Sequence, residues 1–511
     1  MPHPLLLARP VALAQGVALL ATLLLGGAPS PARTEAPTET PEPSTPREAA
    51  PAGVGRNGGR SPLAAYTLVA PREQAPSGLI ARVVLPAGVG CPALETQQGG
   101  PGVQPWQTLP MRERRAGDTT LRAFDSLLVC EAAMPERAMA ARIAGRRLPA
   151  ALPPRIGKLA VFGDTGCRIL GSDIQSCNEA SAWPLAQLVG SMVREQADVA
   201  LYLGDFYYRE AACPSANNNQ CGGSPAPLAG APFTDSGWGW VADVLVPMGP
   251  LLETVPLVMV RGNHEQCNRG GNGYFLLFDP ALDSAQRCAP TAAGAAPVVY
   301  APTTAVDLPL RGGRRLRLVN VDSANGSDAT VDVEIAARMR LLFEEGRRLA
   351  GGTEEVWLLT HRPVNAILPT AYLPTPPGNA SPWSSVTQTA ASTGLLDPYQ
   401  LMLSSHLHSA QVVQVPGQPG QILLGNGGTK LDPPAYPNPP YGPLATSTGE
   451  PIQPGLKPLP RATFTQAWLT FGYMLAEPEP ARGRWRFTMR DGRGASFATC
   501  ALAQRQVRCQ D

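Results

Sequence analysis

The stretch Leu257-Val-Met-Val-Arg-Gly-Asn-His-Glu265 decides how this chain folds. Leu257 to Val260 form an apolar run of buried-strand type, and the run stops at a glycine followed by three polar residues. The same pattern recurs upstream. Leu159-Ala-Val-Phe162 ends at Gly163-Asp164-Thr165-Gly166, and Val199-Ala-Leu-Tyr-Leu203 ends at Gly204-Asp205-Phe206-Tyr207-Tyr208. Between those two runs, Leu185, Leu188, Val189, Met192 and Val193 keep helical spacing. Downstream, Leu316 to Val321 and Val356 to Leu359 continue the strands, with a helix expected from about Val331 to Leu349. Thr360-His361-Arg362-Pro363 and Ser405-His406-Leu407-His408 close the series. Alternation of strand and helix argues an α/β domain with helices outside a sheet. In such sheets the site lies beyond the carboxyl ends of the strands, where these polar fragments fall.

Outward from that core the chain divides further. Residues 63–153 carry short strand-like runs such as Leu79 to Leu85 and Leu127 to Cys130, and read as a small N-terminal β domain. Residues 154–511 read as the catalytic domain, including the strand-like tail after Phe464. Residues 33–62, rich in Pro, Thr, Glu, Ala and Gly, read as a disordered linker. Residues 1–32 read as an export signal: Arg9 is followed by an apolar run from Pro10 to Ala28 and then by small residues. Cleavage is expected near residues 28–33, leaving no membrane span in the mature chain. The segments 366–400 and 431–461 are long Pro- and Gly-rich loops of the kind that cover active sites.

Composition narrows the classes. In 511 residues the formal charge is +2, with 16% charged side chains, so no polyanion-binding surface of nucleic-acid type is expected. The ten cysteines are even in number and contain no CxxC pair. In order they form five neighbour pairs: 91 with 130, 167 with 177, 213 with 221, 267 with 288, and 500 with 509. An oxidising compartment follows, and with the signal a secreted or periplasmic protein. Three of those pairs would brace the loops that carry Asp164, Tyr208 and His264.

Only five histidines occur. Apart from His3 in the signal, they are His264, His361, His406 and His408, each just past a strand. Together with Asp164, Asp205 and Asn263 they are the donor types of a metal site. The ordered set GD, GD, GNHE, THR and SHLH resembles the calcineurin-like metallophosphoesterases, and within them the purple acid phosphatase branch. Two details favour that branch: Gly166 stands where many relatives carry a metal-binding histidine, and Tyr208 lies three residues after Asp205. Ser405 departs from the glycine usual in the last motif.

The resemblance implies a metallophosphoesterase-type β-sandwich flanked by helices, and two metal ions. Asp164, Asp205, Tyr208 and His408 would hold Fe(III). Asp205, Asn263, His361 and His406 would hold a divalent ion (Zn, Fe or Mn), with Asp205 shared. Hard oxygen donors suit the first ion and the imidazole-rich set suits the second. Metal-bound hydroxide would attack a phosphate ester substrate. His264 would protonate the leaving alkoxide or bind the phosphate, and Arg362 would contact the phosphate. Asp322 reads more simply as structural. A phosphomonoesterase is expected; a phosphodiesterase or pyrophosphatase on the same fold, and a non-catalytic binding protein, are the alternatives.

Overall fold

The structure is a computed structural model. It describes residues 61–510 apart from 101–103, 118–121, 225–234, 283–284, 292–295, 327–331, 353–354, 367–386, 388–389, 392 and 433–463. The expected export signal, nearly all of the linker and most of the two long loops lie outside the described residues.

Two sheets stack face to face. The first has eleven strands among the described residues. Its centre is the parallel set Leu159–Phe162, Val199–Tyr202, Leu257–Met259 and Ala64–Val69. The second has seven strands, with Arg315–Asn320, Glu355–Leu359, Leu401–Ser404 and Gly420–Leu424 running parallel. Side chains alternate across each strand and sort into separate cores. Leu159, Val161, Leu201 and Val258 face Leu318, Trp357, Leu359 and Leu403 in the core between the sheets. Ala160, Phe162, Tyr202 and Met259 point the other way and pack under Leu188 and Met192 of the helix Leu185–Arg194 and Met248 and Leu251 of the helix Val246–Leu252. On the far face of the second sheet, Val319, Val356 and Leu358 meet Met339 and Phe343 of the helix Val333–Ala350. Burial on both faces explains why these strands read as unbroken apolar runs. The architecture is a β-sandwich flanked by helices.

The helix Val333–Ala350 starts where the sequence offers a cap. Asp332 accepts the N–H groups of Glu334 and Ile335 at 3.0 Å, and Arg347 and Arg348 occupy the last turn, complementing the helix dipole. The N-terminal strands take two positions. Ala64–Val69, Leu79–Pro86, Leu127–Ala133 and Arg112–Arg114 extend one side of the first sheet. Ala93–Gln98, Trp106–Pro110, Ala138–Ile143 and Arg146–Leu148 form a separate four-stranded sheet. The C-terminal strands Tyr473–Glu479, Arg484–Arg490, Ser496–Ala503 and Gln506–Gln510 complete the first sheet on its other side.

A buried ionic cluster ties the N-terminal strands to the catalytic region. Glu131 receives Arg82 at 2.7 Å and Arg114 at 2.8 Å, with all three side chains at most 2% exposed. Arg82 Nε is left without a partner, while further N–H groups of the two arginines go to the carbonyls of Phe275, Leu276, Leu277, Asp279 and Ala281. These lie in and just past the helix Gly271–Leu277, so the cluster satisfies its last carbonyls, which have no partner within the helix. All five cysteine pairs form disulfides between sequence neighbours. Cytosolic thiols are kept reduced, so these bonds place the folded chain in an oxidising compartment. Among the described residues no helix is long and apolar enough to cross a membrane.

Candidate metal centre

The carboxyl ends of both sets of parallel strands meet at one edge of the sandwich. The first sheet delivers Asp164, Asp205, Tyr208 and Asn263, and the second delivers His361, His406 and His408. Three of these residues turn sharply out of their strands. Asp164, Asp205 and His406 have φ of +53°, +55° and +77°, a left-handed conformation that costs of order 1–3 kcal/mol each and clusters at functional sites. Gly204 lets the turns close: it has φ of +99°, and an added Cβ would lie 2.7 Å from His361 Nδ1 and 2.8 Å from Gly262 N.

The donors converge in two overlapping groups. Tyr208 Oη lies 3.0 Å from Asp164 Oδ1, 2.8 Å from Asp205 Oδ2 and 3.0 Å from His408 Nε2. Next to it, His361 Nε2 lies 2.9 Å from Asn263 Oδ1, 3.2 Å from Asp205 Oδ2 and 3.2 Å from His406 Nδ1. Asp205, His361 and His406 offer ligand atoms all within 4.8 Å of one another. Asp205 belongs to both groups. Tyr207 is not at the centre: its ring stacks on Trp240 in the core under the first sheet, with centroids 5.1 Å apart.

Neighbouring groups fix which atoms face inward. His361 Nδ1 lies 3.0 Å from Leu203 O and 3.0 Å from Ser405 Oγ, and that hydroxyl donates to Leu203 O at 2.7 Å. A carbonyl only accepts, so Nδ1 carries the proton and Nε2 faces the centre. Lys430 O does the same for His408 at Nδ1, 2.9 Å away. Glu265 accepts backbone N–H groups from Asp205, Phe206, Tyr207 and Gly262 at 2.8–3.2 Å. Asp243 accepts those of Cys167 and Tyr208, both at 2.8 Å.

Charge at the centre is unbalanced in one direction. Burial, and then the Asp205 carboxylate, raise the Asp164 carboxyl above its ordinary range; the same two causes raise Glu265. Burial opposes a proton on His361, but Asp205 overrides it and lifts the imidazole to about 9. Crowded acids of this kind, beside inward-facing imidazole nitrogens, are the electrostatics that a cation relieves. Three of the four donors around Tyr208 are oxygens, whereas the group around His361 mixes two imidazole nitrogens with two oxygens, so the residues present fit a metal pair.

His264 and Arg362 flank the centre. The His264 ring lies over Tyr208, centroids 3.7 Å apart. Its Nδ1 is 2.6 Å from Glu210 Oε1 and 2.7 Å from Arg269 Nη2. Burial, aided by Arg269, depresses the imidazole to about 4. Arg362 Nη1 lies 2.9 Å from His406 Nε2. Asp322 stands apart, accepting Arg261 Nη1 at 2.9 Å and two backbone N–H groups. The functional residues that sequence reading missed are Glu210, Arg269, Asp243, Glu265 and the hydroxyl of Ser405. Glu265 sits inside a quoted motif and Glu210 two residues past another, so both were findable as acids beside candidate ligands; Asp243 carries no local signal.

Comparison with known proteins agrees with this geometry. The profile of the calcineurin-like phosphoesterases matches residues 157–410. No curated protein matches the chain significantly. Among solved structures, a purple acid phosphatase from yellow lupin (Lupinus luteus) seeds superposes with a TM-score of 0.51 at 11% identity, covering 87% of this chain and 74% of the lupin chain. That likeness is one of fold.

Proposed function

Because residues 157–410 make this chain a member of the calcineurin-like phosphoesterase family, and hence a metal-dependent phosphoester hydrolase, we propose that it is a dinuclear phosphomonoesterase of purple acid phosphatase type. Asp164, Asp205, Tyr208 and His408 would hold Fe(III), and Asp205, Asn263, His361 and His406 a divalent zinc, iron or manganese ion. The observation that carries this reading is Tyr208 Oη, within 3.0 Å of two carboxylates and an imidazole. A phenol buried among acids is held protonated, its pKa raised well above 10 by burial and then by Asp164. A trivalent cation is the partner that makes a phenolate favourable there.

Two ions at this site would supply Lewis-acid charge to the phosphate oxygens and acidify a water. The rest falls to the chain's own residues. Glu210 accepts a hydrogen bond from the Nδ1–H of His264 and fixes its ring, as a carboxylate does for an imidazole that transfers protons. His264 then meets the leaving oxygen or the phosphate, and Arg362 lies within reach of the same phosphate. With its signal removed, the mature enzyme would work in the periplasm or outside the cell, where its disulfides persist.

Elemental analysis of the purified mature protein, with a panel of phosphomonoesters, phosphodiesters and pyrophosphate, tests the reading. The expected result is iron plus one divalent ion, preference for monoesters, and a visible phenolate-to-iron band. Tyr208→Phe bleaches the band and weakens iron binding; Tyr207→Phe leaves it intact. A colourless active enzyme with two divalent ions overturns the ferric assignment. Preference for diesters or pyrophosphate overturns the substrate assignment.

A further inference from the structure

At the amino ends of the sandwich strands, the pole opposite the metal centre, the two sheets part around an open cleft of about 610 Å³. That size is in the range of small-molecule sites. The strands between the two poles are four to six residues long, which separates them by roughly 15–20 Å. The floor of the cleft is apolar: Ile156, Leu310, Trp485 and Leu502 are each buried. The rim is basic, carrying Arg155, Arg311, Arg314, Arg484 and Arg505.

The acids at hand do not balance that rim. Glu355 is the one carboxylate among the described lining residues, and it is engaged by Arg314 at 2.8 Å and by Trp485 Nε1. Arg484 is bonded to Glu479 at 2.7 Å. Arg155 and Arg311 meet no carboxylate among the described residues. Arg505 gives one N–H to Leu396 O at 3.3 Å, and its buried Nε has no partner.

The position of Arg505 is itself strained. Gln504 and Arg505, at φ of +48° and +68°, form the two-residue turn between the last two strands. Turns with two left-handed residues favour Asn-Gly, and long side chains there are disfavoured. Both residues line the cleft, and Gly420 N pins the turn by bonding Arg505 O at 2.9 Å.

We propose that this cleft is a second anion site, binding a compact oxyanion of two or more charges, as phosphate or as a small phosphate-bearing molecule. Guanidinium groups donate in a planar fork that matches such oxygens, and the apolar floor would seat any carbon body attached to them. The site is independent of the metal centre.

Calorimetric titration of inorganic phosphate into the metal-loaded full chain tests the proposal against the double variant Arg311→Ala/Arg505→Ala. The wild type is expected to show two sites and the variant one, the lost site weakened at least about tenfold. Turnover in phosphate-free buffer stays unchanged, since both arginines lie at the pole opposite the metal centre. A single wild-type site that the variant abolishes supports the cleft and counts instead against phosphate binding at the metal centre. Equal numbers of sites in the two proteins overturn the proposal.

Discussion

Two of the places where the molecule buries charge solve the problem differently. Around Glu131, the buried Arg82 and Arg114 and the more exposed Arg112 surround one carboxylate, and most spare N–H groups of the buried pair end on backbone carbonyls. Burial pushes the Glu131 carboxyl up, yet Arg82 and Arg114 together hold it below its ordinary range. There the buried carboxylate is held by protein groups alone. At the candidate centre the balance is reversed: Asp164, Asp205 and Glu265 crowd together, and the first and last are pushed upward. Both regions are fully buried, so burial is not what separates structural charge from functional charge. The sign of the surplus separates them, since a surplus of buried acid is answered by a cation.

The contrast predicts opposite consequences for mutation. His361→Ala is expected to lose the divalent ion on elemental analysis and at least about 10³-fold in activity, because several kcal/mol of charge stabilisation goes with it. His264→Ala is expected to keep both ions while losing about 10²–10⁴-fold, the range of an acid–base group. If His264→Ala arrives without metal, the division of roles between the two histidines is wrong.

In the other cluster the loss is of stability. Glu131→Gln strands two buried guanidinium groups and is expected to cost about 3–5 kcal/mol in urea unfolding, with turnover per folded molecule unchanged. Because the folded Glu131 value lies below its ordinary 4.5, its stabilisation is fully present above that pH and is lost as pH falls through the folded value. The gap between wild type and variant should therefore close in acid. A gap that persists undiminished at pH 2 would show that the charge pairing is not its source.

The smallest expected effect concerns Ser405, which bonds the candidate ligand His361. Ser405→Gly removes one of the two acceptors at His361 Nδ1. Divalent-ion affinity, measured by competition with a chelator, should fall about tenfold, the low end for such supporting contacts. Unchanged affinity would mean that Leu203 O alone orients the ring.

Much of the centre was legible in the sequence because each donor follows a strand within a few residues, so local pattern and site coincide. The sandwich core was legible for the same reason: residues 159–162, 199–203 and 257–260 are apolar on both faces. What escaped depends on pairing across long sequence separations. Ala64–Val69 runs parallel to Leu257–Met259, with Leu68 opposite Leu257, and nothing near residue 64 announces a partner that far away. Asp243 likewise supports Tyr208 from a helical stretch with no motif. Ser405 was visible as a departure from the family pattern, but its hydroxyl matters only once Leu203 and His361 are seen beside it.

Gly166 has a consequence for how such sites can change over generations. An added Cβ there would lie 2.7 Å from Asp243 Oδ2, 2.7 Å from Phe206 O and 2.8 Å from Tyr208 N. The position is closed by the same backbone that presents Tyr208. A lineage acquiring a histidine at 166 would therefore meet a steric conflict before it gained a ligand, and one discarding Tyr208 first would lose a donor with nothing to replace it. A side chain at 166 and the backbone that presents Tyr208 thus claim one space, and exchanging one candidate donor for the other requires coupled change at both positions.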